Sequence, residues 1–129
     1  MNGRFLLDTN IIIGLFSKDA SIEARLRETE EIFIPNTVLG ELYYGARNSS
    51  RIEENLSKVD DFAAGNKILS SDFDTAKLYG YIKSGLKSKG KPIPENDIWI
   101  AAIAKQYDLT LASHDSHFEE IDDLFLEEW

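Results

Sequence analysis

Residues 4–16 read RFLLDTNIIIGLF. Apolar Phe5, Leu6 and Leu7 follow Arg4 and stop at Asp8, the length of a short buried strand over Arg4–Leu7. Ile11, Ile12, Ile13, Leu15 and Phe16 come next, apolar enough for a short helix over Asn10–Phe16. The rest of the chain repeats this alternation. A charged helix over Ser21–Thr29 precedes a strand over Ile32–Ile34, which Pro35 stops. A helix over Asn36–Ala46 carries Val38, Leu42 and Tyr43 on a shared face. Asn48-Ser49-Ser50 supplies a turn and an N-cap, after which Ile52, Leu56, Val59 and Phe62 recur at helical spacing until Gly65. Lys67–Leu69 reads as a third strand. Ser71-Asp72 caps a helix carrying Phe73, Ala76, Leu78, Tyr81 and Ile82, which frays into a Lys/Gly stretch broken by Pro92 and Pro94. Asp97–Tyr107 is apolar nearly all round and predicts a buried helix. Leu109–Ala112 is a fourth strand and Leu124–Leu126 a fifth, at an edge. Strand–helix alternation of this kind predicts an α/β fold: a mostly parallel sheet of four or five strands between two layers of helices.

The 129 residues suit one domain spanning 1–129, with no room for a second core. Hydrophobic residues make up 43% and charged residues 29%, the balance of a soluble globular protein. No apolar run approaches the roughly 20 residues that cross a bilayer, and the N-terminus has no signal-peptide pattern. The expectation is a cytoplasmic protein. The absence of cysteine excludes a disulfide framework, a thiolate zinc site and a Cys nucleophile. Net charge is -9, which opposes long-range attraction to phosphates. The acid is uneven, however. FEEIDDLFLEEW concentrates it at the C-terminus, whereas Lys83, Lys87, Lys89 and Lys91 lie in YIKSGLKSKGKP with no acid among them. Those lysines suit either a phosphate backbone or a solvated helix end beside the negative pole of the helix dipole, the commoner case.

Four acids stand where the chain changes from one element to the next: Asp8 in FLLDTN, Glu41 in NTVLGELYYG, Asp97 in PENDIWIAA and Asp115 in SHDSHF. Each adjoins an apolar run, where a carboxylate is costly unless something compensates it. Parallel α/β sheets bind ligands beyond the carboxyl ends of their strands. Asp8 and Asp115 follow strands, and Glu41 and Asp97 sit near the starts of following helices, so all four can face one crevice. Like charges brought together raise one another's pKa unless a cation holds them ionised. Hard oxygen ligands suit Mg²⁺ or Mn²⁺, and such an ion suits phosphodiester chemistry.

Each acid also has an ordinary reading. Asp8 can be an N-cap, although three capping residues in a row, Asp8-Thr9-Asn10, exceed what a cap needs. Thr9 can then be the cap, leaving Asn10 to orient a ligand or a water. Glu41 can be an exposed helix acid, but Gly40 and Gly45 flank it where glycine weakens a helix, which suggests close approach of a backbone or ligand. Asp97 can be a first-turn acid favoured by the helix dipole. It opens the most apolar helix, however, and so should face protein, with Asn96 as the cap. Asp115 can be a turn acid. Beside it, Ser113 can hold a carboxylate or a water. His114 and His117 read as surface residues of a polar loop. No nucleophile elbow accompanies Ser and His, which excludes a serine hydrolase. No glycine-rich nucleotide loop occurs. Tyr43, Tyr44, Tyr79 and Tyr81 read as core or self-association surface.

The chain resembles PIN-domain ribonucleases and, among them, the VapC-like toxins of bacterial toxin–antitoxin pairs. The resemblance runs through FLLDTNIII, IPNTVLGELYYGA, PENDIWIAAIA and LASHDSHFEEI, in the family's order and over almost the full length. It implies a parallel sheet flanked by helices and a divalent-metal-dependent endoribonuclease. It also implies frequent homodimers and a small antitoxin protein that blocks the site. The family's acidic quartet falls on Asp8, Glu41, Asp97 and Asp115, and its supporting polar positions on Asn10 and Ser113. In that reading Asp8 and Asp97 hold most of the Mg²⁺ or Mn²⁺, and the proton acceptor is Asp115 or Glu41. Two alternatives stand beside it. A non-catalytic module would use the acid pocket to grip a partner's arginine. An aspartyl phosphotransferase would need a second acid two residues after Asp8, where this chain has Asn10.

Overall fold

The strand Arg4–Leu7 (β1) lies at the centre of a five-stranded sheet in the order β3-β2-β1-β4-β5, with every pairing parallel. The structure, a computed structural model, describes residues 3–129. The other strands are β2 (Glu31–Pro35), β3 (Lys67–Leu69), β4 (Thr110–Ala112) and β5 (Leu126–Glu127). Between them run α1 (Thr9–Phe16), α2 (Ala20–Glu28), α3 (Asn36–Arg47), α4 (Ile52–Ala64), α5 (Phe73–Lys89) and α6 (Glu95–Gln106). A short 3₁₀ turn, η1 (Ser116–Glu120), links β4 to the C-terminal segment. No helix among the described residues is long and apolar enough to cross a membrane.

A parallel sheet is covered on both faces, so its inner strands are apolar without alternation. Leu6, Leu7, Ile34 and Leu111 are fully buried, and Ile11, Ile12, Val38, Ile100 and Ile103 pack over them from the helices. α6 is buried from Ile98 to Ala104 apart from Trp99, as its sequence predicts. Trp99 is half-buried and stacks on Tyr79 of α5 with ring centroids 4.2 Å apart. Trp129 packs on Phe5 at 5.2 Å, which anchors the acidic C-terminal segment to the central strand. α1 meets α2 at an elbow where a Cβ on Gly14 would overlap the end of Ile22.

Several boundaries differ from the sequence expectation. Arg51, not the Asn48-Ser49-Ser50 cluster, is the N-cap of α4, and its side chain makes no capping bond. Ser49 instead donates to the Ala46 carbonyl and accepts from Asn55. α5 does not fray into the Lys/Gly stretch: it stays regular to Lys89 and ends on Gly90 at φ 68°, a left-handed C-cap that only glycine adopts without strain. β5 falls on Leu126–Glu127, because those residues pair with Leu111 and Ala112. Two lysines of this stretch, Lys83 and Lys89, have partners within the fold. Lys83 pairs with Glu95, while Lys89 donates to the Glu120 carbonyl and to Asp122 Oδ1 at 2.8 Å. Lys105 of α6 donates to the Asp122 and Asp123 carbonyls, so two lysines clasp the loop that follows η1.

Candidate active site

The parallel register builds the site. Leu7 of β1 pairs with Ala112 of β4, and the Asp8 N–H donates to the Ala112 carbonyl at 3.0 Å. The next residue on each strand therefore emerges beside its neighbour. Ser113, 2% exposed, donates its hydroxyl to Asp8 Oδ2 at 2.7 Å. Asp8, 3% exposed, is also the N-cap of α1: its Oδ1 accepts the Thr9 N–H at 2.8 Å. Capping and membership of the pocket thus coincide in one residue. Thr9, freed from capping, donates its hydroxyl to Glu41 Oε1.

Asn10 bridges two loops. Its amide nitrogen lies 3.4 Å from Asp8 Oδ2, and its oxygen accepts the His114 N–H at 3.2 Å. Glu41 reaches the pocket from α3, where Asn96 donates to its Oε2 at 3.3 Å. Asn96 is therefore not the cap of α6; Pro94 occupies that position without a side-chain bond, and Asn96 ties α6 to α3 instead. No backbone approaches Gly40 or Gly45 closely, since a Cβ at either would meet nothing within 4 Å. Gly45 and Glu41 border a mostly apolar groove of about 300 Å³ lined also by Ile13, Phe16, Leu42 and Val59.

Asp97, 7% exposed, faces protein as its position predicts. The Asp115 N–H donates to Ser113 Oγ at 2.9 Å, so one serine positions both Asp8 and Asp115. The four acids and the two polar positions inferred from sequence thus lie together at the carboxyl ends of β1 and β4. The tightest group has a different membership. Asp97, Asp115 and His117 each offer a ligand atom, and these atoms all lie within 4.8 Å of one another. His117, expected as a plain surface residue, places Nδ1 3.1 Å from Asp97 Oδ2. His114 stays exposed, with Nε2 3.1 Å from the Trp129 carbonyl. Phe118, next in the chain, is fully buried and fixes the 3₁₀ turn that carries His117.

The pocket is electrostatically unbalanced. Burial pushes the Asp97 carboxyl up to about 6, Asp8 and Asp115 push it the same way, and His117 opposes them. Burial also raises Asp8, against the hydrogen bonds from Ser113 and Thr9 and together with the charges of Asp115 and Glu41. Among the described residues no lysine or arginine pairs with Asp8, Glu41, Asp97 or Asp115; the ion pairs that do form are with Glu31, Glu54, Glu95, Asp122 and Glu127. Buried carboxylates held together without a counter-charge are the donor set of a hard divalent cation. The residues present fit such an ion.

Comparison with known proteins agrees with this geometry. The PIN domain family model matches residues 5–124. Ribonuclease VapC2 of Haemophilus influenzae is 35% identical over 129 residues, which cover 98% of each chain. The tRNA(fMet)-specific endonuclease VapC of Shigella flexneri is 32% identical over 129 residues, again 98% of each. Among solved structures, VapBC2 from Rickettsia felis bound to a promoter DNA fragment superposes with a TM-score of 0.90 at 31% identity, covering 98% of both chains. This chain belongs to the PIN domain family and, within it, to the VapC ribonucleases.

Proposed function

We propose that residues 1–129 act as one cytoplasmic unit, a divalent-metal-dependent endoribonuclease that is the toxin of a toxin–antitoxin pair. The observation that carries this reading is the convergence of Asp8, Glu41, Asp97 and Asp115 in a pocket with no lysine or arginine paired to any of them among the described residues. Asp8, Asp97 and Asp115 would hold the ion, Mg²⁺ or Mn²⁺. When bound, the ion would supply Lewis acidity, lowering the pKa of a water so that it can attack as hydroxide and offsetting charge building on the phosphate. The chain's residues do the rest. Ser113 fixes the orientation of Asp8 and Asp115, and Asn10 ties the β1 and β4 loops together. Either Glu41, whose Oε1 accepts from Thr9 and whose Oε2 accepts from Asn96, or Asp115 would orient the attacking water and accept its proton. In-line attack of that water would form a new P–O bond as the P–O3′ bond breaks, the departing O3′ taking a proton from solvent, which leaves a 5′-phosphate and a 3′-hydroxyl.

The relatives support both partners. One is named for cleavage of tRNA(fMet), which makes tRNA the first RNA class to test. The structural neighbour is a complex of toxin with antitoxin. A small antitoxin would fit the apolar groove beside Glu41 and place an arginine among the carboxylates. The toxin itself is proposed to be a homodimer.

The test is incubation of the purified protein with total RNA in Mn²⁺, in Mg²⁺ and in chelator, followed by mapping of new ends. Ends bearing 5′-phosphate should form only with an added ion. Cleavage undiminished by chelator would refute the metal requirement. Intact RNA in every arm would favour the non-catalytic binding module.

A further inference from the structure

His117 differs in kind from the acids around it: it is the nitrogen donor in a pocket of oxygen donors. Its Nδ1 lies 3.1 Å from Asp97 Oδ2, and Asp97, Asp115 and His117 present ligand atoms within 4.8 Å of one another. The backbone behind it is fixed. Phe118 is fully buried in the core, and Lys89 holds the Glu120 carbonyl at the far end of the same 3₁₀ turn. The His117 side chain is nevertheless 44% exposed, which leaves open space beside the ring.

We infer that His117 is a further protein ligand to the divalent ion, beside the carboxylates, and biases this site toward nitrogen-accepting transition ions over Mg²⁺. The inference rests on the metal-dependent reading above and adds the ion's identity to it. Mg²⁺ keeps oxygen ligands and much of its water, and gains little from an imidazole. Affinity for a mixed nitrogen and oxygen set rises from Mn²⁺ through Co²⁺ to Ni²⁺, and imidazole suits the later ions. An all-carboxylate pocket would show a shallower version of that series. Through His117, the preference here is steepened by one residue two positions beyond Asp115.

The experiment compares wild type with His117→Gln, using Co²⁺ and Mg²⁺ as probes and calorimetry as the readout, with no RNA present. Replacement should weaken Co²⁺ binding about tenfold or more, the usual scale for a perturbed metal site, and leave Mg²⁺ binding within about twofold by the same reasoning. Pulsed EPR on the Mn²⁺ form supplies a second readout: coupling to ¹⁴N should be present in wild type and absent in His117→Gln. Equal weakening of both ions would overturn the assignment and make His117 a structural support of Asp97. Tighter binding of both ions in the variant would also overturn it, since His117 would then compete with the ion for Asp97. Metal binding without RNA cleavage would sink the endonuclease reading and leave the ligand assignment intact. Cleavage with unchanged ion selectivity in the variant would do the reverse.

Discussion

Asp8 and Asp72 occupy the same place at two helix N-termini and are opposite in character. Asp72 accepts the Thr75 N–H at 3.1 Å, while its own N–H donates to the Thr75 hydroxyl, a reciprocal capping box. It is exposed, and the bonds from Thr75 and Gln106 hold its carboxyl below the usual range. Asp8 accepts the Thr9 N–H in the same role, yet burial holds its carboxyl above the usual range. The cap is the same device in both. What separates them is the surroundings: water around Asp72, and around Asp8 apolar strands and three further acids. A local motif therefore identifies a cap but says nothing about whether that cap is also a ligand. Burial without a counter-charge is what supports the proposal that Asp8 is one.

The most demanding test of this contrast replaces each aspartate with asparagine, which caps about as well. Asp8→Asn should lower metal-dependent RNA cleavage by at least about a hundredfold, the upper end of what perturbing a metal shell costs. It should also leave the metal-free protein at least as stable as wild type, because a disfavoured charge is removed. Asp72→Asn should cut RNA at the wild-type rate. Similar losses in the two variants, measured on one RNA substrate, would erase the distinction.

A smaller effect follows from the raised carboxyl of Asp97. Its folded pKa of about 6 exceeds the unfolded value near 4. Between these values the native state holds the extra proton, so the stability of the metal-free protein falls as pH rises through the window and levels off above it. The full difference corresponds to at most about 3 kcal/mol. Urea unfolding of metal-free protein at pH 4.5 and pH 7 measures it. Asp97→Asn should shrink the fall to the part that Asp8 contributes. The exposed caps act the other way and in another window: Asp19 and Asp72, with lowered carboxyls, add stability that is lost only as pH drops below about 4. An Asp97→Asn protein with the wild-type slope would show that burial of this carboxyl has no energetic consequence.

The least change concerns Ser113. Ser113→Ala removes the hydroxyl that orients Asp8 and Asp115, and should weaken divalent-ion binding about tenfold. Wild-type affinity in that variant would show that the backbone register alone holds the two acids in place.

Much of this architecture can be read along the chain, because it rests on abrupt local change. Phe5-Leu6-Leu7 followed by Asp8, and Leu111-Ala112 followed by Ser113, mark strand ends where burial stops and polar chemistry begins. The apolar character of α6 announces its own burial and that of Asp97 with it. What escapes the sequence is pairing at a distance. Thr9 meets Glu41, Asn96 meets Glu41 and His117 meets Asp97 only after three helices and a 3₁₀ turn converge. Asn96 reads locally as a cap, and His117 as a loop residue, because the local chain holds no trace of the contact that redirects each. β5 is displaced for a related reason: its position is set by the β4 edge it pairs with, not by the apolar run of Leu124–Leu126.

The order of the central strands has a consequence for biosynthesis. β1 is among the first segments made, and one of its two sheet neighbours, β4, among the last. A polypeptide interrupted before Thr110 exposes an open edge on β1 and contains neither Ser113 nor Asp115. If the proposed site is the active one, nascent and prematurely terminated chains should therefore be unable to cut RNA. The partner that restrains this enzyme need not act until the ribosome has nearly finished.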